Sequence, residues 1–539
     1  MKSLRQFVIL GLFLVAGFVA FASVINSYFL SDDFAQIGKV LAGDLSVVWG
    51  KAHGGFFRPL FIFSYLIDTR IWGARPFGFH LTNIMLHSLN AFLTFKLTRR
   101  MTEDLTLTTD TKKAISIGAG ALFLLHPSHT EAVSWISGRA DLIAAFFCLA
   151  SLLYYLAYTG SKRVSRMTLS LSCFALALLA KESAICLPFL VAVIALFAGH
   201  VRHDKQTWRR FLICMALYVS ILLAFVAVRS VFIGALVGGY GTSQHLNFSP
   251  AWLRDRLLEA LVRSVLPTLP LQFARFLFKP LQSKAFILFA LACSGFVAAL
   301  IVVRRRWYGP AARNEQNRVL LVLVALFLLS LLPAINLRLS LYQTLGERFL
   351  YLPSVFSCSL IAYLLAILLR QRLWLMAIIF ILGFYSVRLY QTNQTWREAA
   401  ELSRSITDEI ADSATRDRLV ILNLPDNLRG VPVFHNGLPE AVRYFPNRKP
   451  IKQVEVVAFQ NLQSVADQIQ LSRGPESLTI KLLNNDDGFE RIEGSECLDI
   501  IAQSKTSIEL RAKLCSADAD LFFFDKGRMT RFPVQITLK

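Results

Sequence analysis

The sequence predicts an all-α polytopic membrane bundle of about eleven transmembrane helices, followed by a soluble α+β domain. Three observations support this prediction. Hydrophobic residues make up 55% of the 539 residues and charged residues only 17%, less charge than a soluble protein of this length carries. Apolar runs long enough to cross a bilayer recur from residue 6 to about residue 388. The remainder has ordinary soluble composition, which divides the chain into a membrane domain (1–390) and an extracytoplasmic domain (391–539).

The first apolar run follows the basic N-terminal residues and could be read as a signal peptide, since Ala20-Phe21-Ala22 resembles a cleavage site. The run is long for that purpose and many spans follow, so an uncleaved first helix is favoured. The predicted spans are residues 6–24, 79–97, 114–126, 141–158, 168–181, 184–198, 211–233, 285–303, 319–335, 349–369 and 373–389.

The loops between these spans alternate in charge. One set is short and densely basic, with its Lys and Arg residues in the segments 2–5, 99–113, 162–166, 202–210, 304–318 and 370–372. Such loops lie in the cytoplasm, so the sequence predicts a cytoplasmic N-terminus and, after eleven spans, a periplasmic C-terminal domain, with the bacterial inner membrane as the expected location. The same loops hold much of the net charge of +21, and nucleic acid is therefore not an expected partner.

The opposite set of loops collects most of the unusual polar chemistry. The first outer loop opens with an acidic pair directly after span one, and three further loops add Arg, Lys, His and acidic residues next to helix ends. These candidates are Asp32, Asp33, Arg58, His126, His129, Glu131, Arg139, Asp141, Lys181, Glu182, Glu347 and Arg348. Because four separate loops place them at one face of the membrane, we expect these side chains to meet in one cavity.

Span two carries a polar stripe. His80, Asn83, His87 and Asn90 recur at spacings of three and four and therefore share one helix face. Polar groups within a membrane face a protein interior or a cavity, and interhelical hydrogen bonding explains them as well as a functional role does. His80 lies nearest the outer surface and is the candidate to reach a site.

The outer-face residues suit transfer of a group from a lipid-linked phosphate. Such a transfer needs a base for the acceptor hydroxyl and cations for the departing phosphate. Asp33 or Asp32 is the candidate base, and the alternative is a helix cap or a solvated carboxylate. Arg58, Arg139, Lys181 and Arg348 are the candidate phosphate ligands, with headgroup contacts or ion pairing as their alternative.

The other polar residues of these loops are predicted to support the site. Glu182 and Glu347 can hold the cations in place, and His126 and His129 suit a structural turn as well as a ligand role. No metal-type spacing is present, so no metal site is predicted. A divalent cation, Mg²⁺ or Mn²⁺, positioned by Glu131 and Asp141 stays an open alternative.

The order of these residues resembles the transmembrane and tetratricopeptide-repeat O-mannosyltransferases and their bacterial relatives, within the GT-C class of multi-span glycosyltransferases. The resemblance covers roughly residues 25–360. It rests on Asp32-Asp33, Arg58-Pro59-Leu60, FHLTNIMLH (79–87), HPSHTEAVSWISGRAD (126–141), LLAKES (178–183) and GERFLYLPS (346–354), with HPSHTEAV followed by GRAD as the most specific part.

This resemblance implies a GT-C-like bundle with catalytic outer loops, a polyprenyl- or dolichyl-phosphate monosaccharide as donor, catalysis by Asp32 and Asp33, and inversion at the anomeric carbon. The implied function is transfer of the sugar to a hydroxyl of a protein, glycan or lipid. The C-terminal region departs from the pattern because it shows no 34-residue repeat. Sugar and acceptor therefore stay open.

The C-terminal domain is predicted to begin with an amphipathic helix (394–415) and to continue as a small α+β fold, with strands at 419–424, 454–459, 477–483, 507–514 and 519–525. It carries no catalytic constellation, and Asp426, Arg429 and His435 are its polar residues of interest. Cys497 and Cys515 are candidates for a disulfide in an oxidising compartment, whereas the six other cysteines fall in apolar spans.

Two other functions compete with a transferase. A flippase or transporter for a lipid-linked glycan would place polar residues near the bilayer midplane and usually contains internal repeats, and the sequence shows neither pattern. A polymerase or ligase of surface polysaccharide would use similar outer loops, and only the family resemblance separates it from a transferase.

Overall fold

The computed structural model describes residues 2–49, 55–197, 205–234, 249–266, 310–337, 339–340, 343–445, 451–474, 477–483, 488–513 and 518–532. The N-terminal three quarters of the chain are helical and the C-terminal part contains two β-sheets. The helices up to the first strand are α1 (Lys2–Phe21), α2 (Asp32–Leu41), α3 (Pro59–Trp72), α4 (Pro76–Met101), α5 (Thr109–Leu125), α6 (Thr130–Val133), α7 (Arg139–Ser161), α8 (Val164–Ala180), α9 (Leu187–Phe197), α10 (Lys205–Ile233), α11 (Pro250–Arg263), α12 (Pro310–Leu331), α13 (Tyr351–Leu368) and α14 (Gln371–Ser413).

Six of the described helical segments are long and apolar enough to cross a membrane: Gln6–Val24, Ile136–Ser161, Lys205–Ile233, Asn314–Ala334, Glu347–Leu368 and Gln371–Ser413. The predicted count of about eleven spans is therefore not confirmed. Span 79–97 lies within the 26-residue α4, whose buried polar residues lower its hydropathy. Helices of 17 residues contain spans 114–126 and 168–181, apart from their last residues. Span 184–198 begins in the 3-10 helix Glu182–Cys186 and continues as the 11-residue α9. Span 285–303 lies outside the described residues.

The first outer loop folds into two helices that the sequence did not predict. Helix α2 begins at Asp32, so both acids of the pair occupy its first turn, where the helix dipole favours negative charge. Helix α3 begins at Pro59, a residue suited to the first helical position. Between α1 and α2, Ser31 adopts a positive φ of 46°, which turns the chain sharply into the acidic pair.

Helix α14 joins the two parts of the chain. Its 43 residues correspond to a length of about 65 Å at ~1.5 Å per residue. The predicted span 373–389 and the predicted amphipathic helix are thus one continuous element, which crosses the predicted division at residue 390. Its second half is anchored by buried Trp396 and by Ser403 Oγ, which donates to the Phe29 carbonyl at 2.9 Å.

The C-terminal part contains a mixed sheet and an antiparallel sheet that pack against each other. The strands are β1 (Arg418–Leu428), β2 (Val431–Pro432), β3 (Gln453–Leu462), β4 (Ile469–Arg473), β5 (Leu478–Leu482), β6 (Gly488–Ile492), β7 (Leu498–Gln503), β8 (Ser507–Ala512), β9 (Asp520–Asp525) and β10 (Arg528–Arg531). The first sheet has the order β10-β9-β1-β3-β6, with β1 parallel to β3 and β9, and the second has the order β4-β5-β8-β7. A short helix, α15 (Leu438–Tyr444), lies between β2 and β3.

Side chains of β1 alternate between two cores because successive residues of a strand point to opposite faces. Val420 and Leu422 face the second sheet, whereas Leu419 and Ile421 join the core formed with the helices. The five predicted strands correspond to β1, β3, β5, β8 and β9. Cys497 is disulfide-bonded, and Cys515, its expected partner, lies outside the described residues, as does Cys293.

Candidate active site

Asp33 is the buried member of the acidic pair. Its side chain is 1% exposed and accepts three hydrogen bonds: from Leu30 N at 3.0 Å, from Ser137 N at 2.8 Å and from Ser137 Oγ at 2.5 Å. Burial raises the pKa of Asp33 to about 7, although these hydrogen bonds favour the ionised form. Asp33 thereby fastens the first turn of α2 to the segment before α7.

Asp32 is partly exposed and is held by the C-terminal domain. Asn436 Nδ2 donates to Asp32 Oδ1 at 2.5 Å, and Ser31 Oγ donates to Asn436 Oδ1 at 3.4 Å. The two neighbouring carboxylates therefore differ: Asp33 is enclosed by protein groups, whereas Asp32 lies at the surface between the bundle and the C-terminal domain.

The segment 433–437 packs against the turn that carries the acidic pair. Ser31 N donates to the Val433 carbonyl at 2.9 Å, and the rings of Phe34 and Phe434 stack with centroids 5.5 Å apart. Gly437 has a φ of +84°, and a Cβ at this position would lie 2.5 Å from the Ser31 carbonyl oxygen. Only a glycine allows the two backbones to approach this closely.

Arg348 is linked to Asp33 through Trp135 and the backbone of Leu30. The Arg348 guanidinium carbon is 4.8 Å from the centre of the Trp135 ring, and Trp135 Nε1 donates to the Leu30 carbonyl at 3.3 Å. Glu131 accepts from Arg348 Nη1 at 2.7 Å and from Arg348 N at 2.8 Å. Burial raises the pKa of Glu131, while the Arg348 charge opposes this shift.

Lys181 and Arg58 continue the same cluster. Lys181 Nζ and the Arg348 guanidinium carbon both lie near the Phe349 ring, 5.4 and 5.1 Å from its centre respectively. Lys181 Nζ donates to Asp141 at 2.6 Å, and the adjacent Glu182 accepts from Arg58 Nε at 2.9 Å. Ion pairs thus join charged residues of four loops, and that these side chains line one cavity stays a prediction.

Arg139 is placed differently from the other three cations. It is fully buried and pairs with Asp68 at 2.6 Å, while its other nitrogens donate to Asn83 Oδ1 at 2.7 Å and to the Phe79 carbonyl at 2.8 Å. Its guanidinium lies 4.8 Å above the Tyr65 ring. In this arrangement Arg139 holds α3, α4 and α7 together, and direct contact with a phosphate stays a prediction.

The polar stripe of α4 makes interhelical hydrogen bonds. His80 Nε2 contacts the Ser27 carbonyl at 3.0 Å, Asn83 contacts the Val133 and Trp135 carbonyls, and His87 contacts Tyr351 and the Leu124 carbonyl. Asn90 likewise donates to the Leu142 carbonyl. These contacts give the stripe a structural role, and His80 binds the loop that precedes the acidic pair.

His126 and His129 also contact buried protein groups. His126 Nε2 lies 3.2 Å from the Ser264 carbonyl, and His129 Nε2 lies 2.7 Å from Ser354 Oγ. Within the described ranges, no group of three or more His, Cys, Asp or Glu side chains is arranged to hold a metal ion.

Another buried ion pair was not predicted from the sequence. Arg263, at the end of α11, pairs with Glu347, and both side chains are about 1% exposed. The sequence signal for this pair is an arginine at the end of the amphipathic segment 250–263. In the C-terminal domain, Asp426 contacts His435 Nδ1 at 2.8 Å, and Arg429 pairs with Glu398.

The fold and the site define a polytopic membrane protein with a cluster of acidic and cationic side chains at one end of its helices. Its curated relatives are protein O-mannosyl-transferases. The chain is 33% identical to Tmtc1 of Drosophila melanogaster over 186 residues (31% of this chain, 20% of the relative). It is 25% identical to mouse TMTC3 over 346 residues (57% and 35%) and 24% identical to Drosophila Tmtc3 over 424 residues (65% and 44%).

The chain thus spans less than half the length of each of these relatives, and no family model matches it. Among solved structures, it is similar to ArnT from Cupriavidus metallidurans bound to undecaprenyl phosphate, with a TM-score of 0.43, 13% identity and coverage of 93% of this chain and 97% of that one. It is also similar to the archaeal oligosaccharyltransferase AglB from Archaeoglobus fulgidus, with a TM-score of 0.47, 11% identity and coverage of 84% and 65%.

Proposed function

We propose that this protein is an integral-membrane glycosyltransferase that moves a monosaccharide from a polyprenyl-phosphate carrier to an acceptor hydroxyl. The observation that supports this most strongly is the set of ion pairs that joins four loops: Arg58 with Glu182, Lys181 with Asp141, and Arg348 with Glu131. Candidate phosphate ligands thereby lie next to helix ends, where a carrier lipid that stays in the bilayer can present its phosphate. Trp135 links Arg348 to Leu30, two residues before the acidic pair.

In this proposal Asp32 is the general base and Asp33 is a positioning residue. A base must come within hydrogen-bond reach of the acceptor hydroxyl, and Asp32 is the exposed member of the pair. Asp32 takes the proton as the acceptor oxygen attacks the anomeric carbon. The bond from that carbon to the phosphate oxygen breaks, and polyprenyl phosphate leaves with the electron pair. One such displacement inverts the anomeric centre.

Arg58 and Arg348 are the cations that we expect to contact the donor phosphate. Their side chains are 13% and 16% exposed, whereas those of Lys181 and Arg139 are 3% and 0% exposed. A guanidinium can donate two parallel hydrogen bonds to a phosphate, and its charge stabilises the departing group. Lys181 adds further positive charge close to the Phe349 ring.

We further propose that the reaction takes place on the non-cytoplasmic side of a bacterial inner membrane, as loop charge indicates. A protein acceptor agrees with the names of the curated relatives, and a glycan or lipid hydroxyl suits the same chemistry. A divalent cation positioned by Glu131 and Asp141 remains an open alternative, and measurement of transfer with EDTA, Mg²⁺ or Mn²⁺ tests it. The relatives are named transferases, so a flippase or a polymerase is not favoured.

The test is transfer by the purified, reconstituted protein from radiolabelled polyprenyl-phosphate sugars to candidate acceptors. Asp32→Asn should lower kcat by about 10²- to 10⁴-fold, the contribution of a general base. Asp44→Asn is the matched control, because Asp44 lies in the same outer segment and is exposed.

A folded Asp32→Asn protein with the activity of the Asp44→Asn control would remove the base assignment. The donor assignment has a separate test. Arg58→Gln and Arg348→Gln should raise the KM for the donor and lower kcat, whereas Arg254→Gln, an exposed arginine of α11, should change neither. Unchanged kinetics in both site variants would contradict the phosphate assignment.

A further inference from the structure

A cleft in the C-terminal domain opens beside the acidic pair. Its volume is about 770 Å³, and its walls come from the segment 434–440, the first half of β3, and the segment 491–496 at the end of β6. Volumes of ~300–1,000 Å³ are typical of clefts that enclose compact ligands, whereas a folded protein partner requires a flatter contact of ~800 Å² per side. The size therefore favours a compact ligand.

Asn436 links the cleft to the proposed base. Asn436 lines the cleft and donates a hydrogen bond of 2.5 Å to Asp32. Its neighbour His435 also lines the cleft and is held by Asp426 at 2.8 Å. A ligand in the cleft that contacts Asn436 is consequently one side chain away from Asp32.

The walls of the cleft combine hydrogen-bond donors and acceptors with an excess of negative charge, because two of the glutamates share one arginine. Three of its four glutamates already contact arginines: Glu455 and Glu496 pair with Arg418 at 2.5 and 2.8 Å, and Glu493 pairs with Arg491 at 2.9 Å. Paired carboxylates keep further lone pairs for hydroxyl donors, but they attract a charged ligand weakly. The walls therefore suit a neutral ligand with many hydroxyl groups.

Arg491 is the central polar side chain of this wall. Its Nη2 donates to the His435 carbonyl at 3.0 Å, and its guanidinium lies 4.0 Å above the Phe459 ring. The side chain lines the cleft and keeps 38% exposure, with its Nε 2.9 Å from Glu493. Guanidinium groups fixed in this way suit adjacent oxygen atoms because their donors are coplanar.

We propose that this cleft binds the acceptor, and that the acceptor segment bound there is a neutral oligosaccharide whose terminal hydroxyl reaches Asp32 past Asn436. The inference rests on the proposed glycosyl transfer for its catalytic meaning, but binding in the cleft is independent of turnover. It assigns the C-terminal domain the role of selecting the acceptor, while the helical bundle holds the donor.

The experiment measures binding directly, with the full chain in lipid nanodiscs. Saturation-transfer NMR with a panel of neutral trisaccharides, built from glucose, mannose or N-acetylglucosamine, should detect binding by at least one member. Arg491→Gln should weaken that binding by about 10- to 100-fold, the effect of losing a charged hydrogen-bond donor. Arg473→Gln, an exposed arginine on β4 of the other sheet, should bind like the wild type.

Kinetics with the binding sugar as acceptor should show a higher KM in Arg491→Gln than in Arg473→Gln, with a smaller change in kcat. Binding by none of the trisaccharides overturns the inference, as does equal binding by the two variants. If Ser- and Thr-containing peptides bind in the cleft and none of the sugars displaces them, the proposed ligand class is wrong. Sugar binding that depends on Arg491 without any donor turnover would support the cleft and contradict the proposed transfer, so the two failures are distinguishable.

Discussion

Removing the hydroxyl of Ser137 should raise the pKa of Asp33. Burial already raises this pKa to about 7, while Ser137 Oγ donates to Asp33 Oδ1 at 2.5 Å and stabilises the ionised form. A hydrogen bond to a charged group contributes about 1.5–3 kcal/mol, and one pKa unit corresponds to about 1.4 kcal/mol. Ser137→Ala should therefore move the midpoint upward by roughly 1–2 units, to about 8–9.

The assay is infrared spectroscopy of the protonated carboxylic acid in the reconstituted protein, titrated from acid to alkaline pH. The band that disappears in Asp33→Asn identifies the group. Ser46→Ala serves as the control, because Ser46 lies in the same outer segment and is exposed. If transfer requires ionised Asp33, activity should fall as the pH decreases through about 7 in the wild type, and at a higher pH in Ser137→Ala. Identical midpoints in Ser137→Ala and Ser46→Ala would refute the reasoning.

The same shift predicts the direction of the stability change. The pKa of Asp33 is raised in the folded protein, so between about pH 4 and pH 7 the folded state holds a proton that the unfolded state releases. The free energy of unfolding should therefore decrease as the pH rises through this interval. Ser137→Ala should extend the decrease to higher pH, and this extension is visible in thermal unfolding at a series of pH values.

Three further outcomes are expected. Gly437→Ala should destabilise the protein by a few kcal/mol more than Gly43→Ala in thermal unfolding: both have a positive φ, but only at 437 would the Cβ meet another backbone. Arg139→Ala should cost about 3–5 kcal/mol because it leaves buried Asp68 unpaired, and Asp68→Asn in the same chain should restore part of the loss. The pKa of His435 is raised by its hydrogen bond to an acid, so its stabilising contribution is present at low pH and lost as the pH rises through that raised value; His435→Gln should abolish this dependence.

Local patterns predicted much of the fold. The five strands found by alternation and β-branched composition are present, because the period of two that buries Val420 and Leu422 is a local property. Helices α2 and α3 were missed because, at 10 and 14 residues, neither is long enough to cross a bilayer. The count of about eleven spans is not confirmed: residues such as Asn83 and His87 lower the hydropathy of α4, although the structure pairs them internally.

The candidate site residues remain predictions, and most of their partners were not predicted from the sequence. Charge at helix ends identified Arg58, Lys181 and Arg348, because polar groups at a membrane boundary are unusual. Their partners depend on tertiary contacts across long stretches of sequence. The contact between Asp32 and Asn436 joins residues 404 positions apart, and no local pattern encodes such a contact.

In the pair formed by Arg348 and Glu131, the carboxylate is buried and the cation is partly exposed, so the cation can exchange its partner for an anionic ligand. Glu131 is 1% exposed, and its pKa is raised by burial even with Arg348 beside it. When a donor phosphate binds Arg348, the buried Glu131 loses part of its counter-charge, and its pKa should rise further. Binding of polyprenyl phosphate at neutral pH should therefore take up a proton. Calorimetric titration in two buffers of different ionisation enthalpy measures this uptake. Glu131→Gln should bind the lipid without proton uptake, and a wild-type protein that binds without it would contradict the proposed exchange of partners.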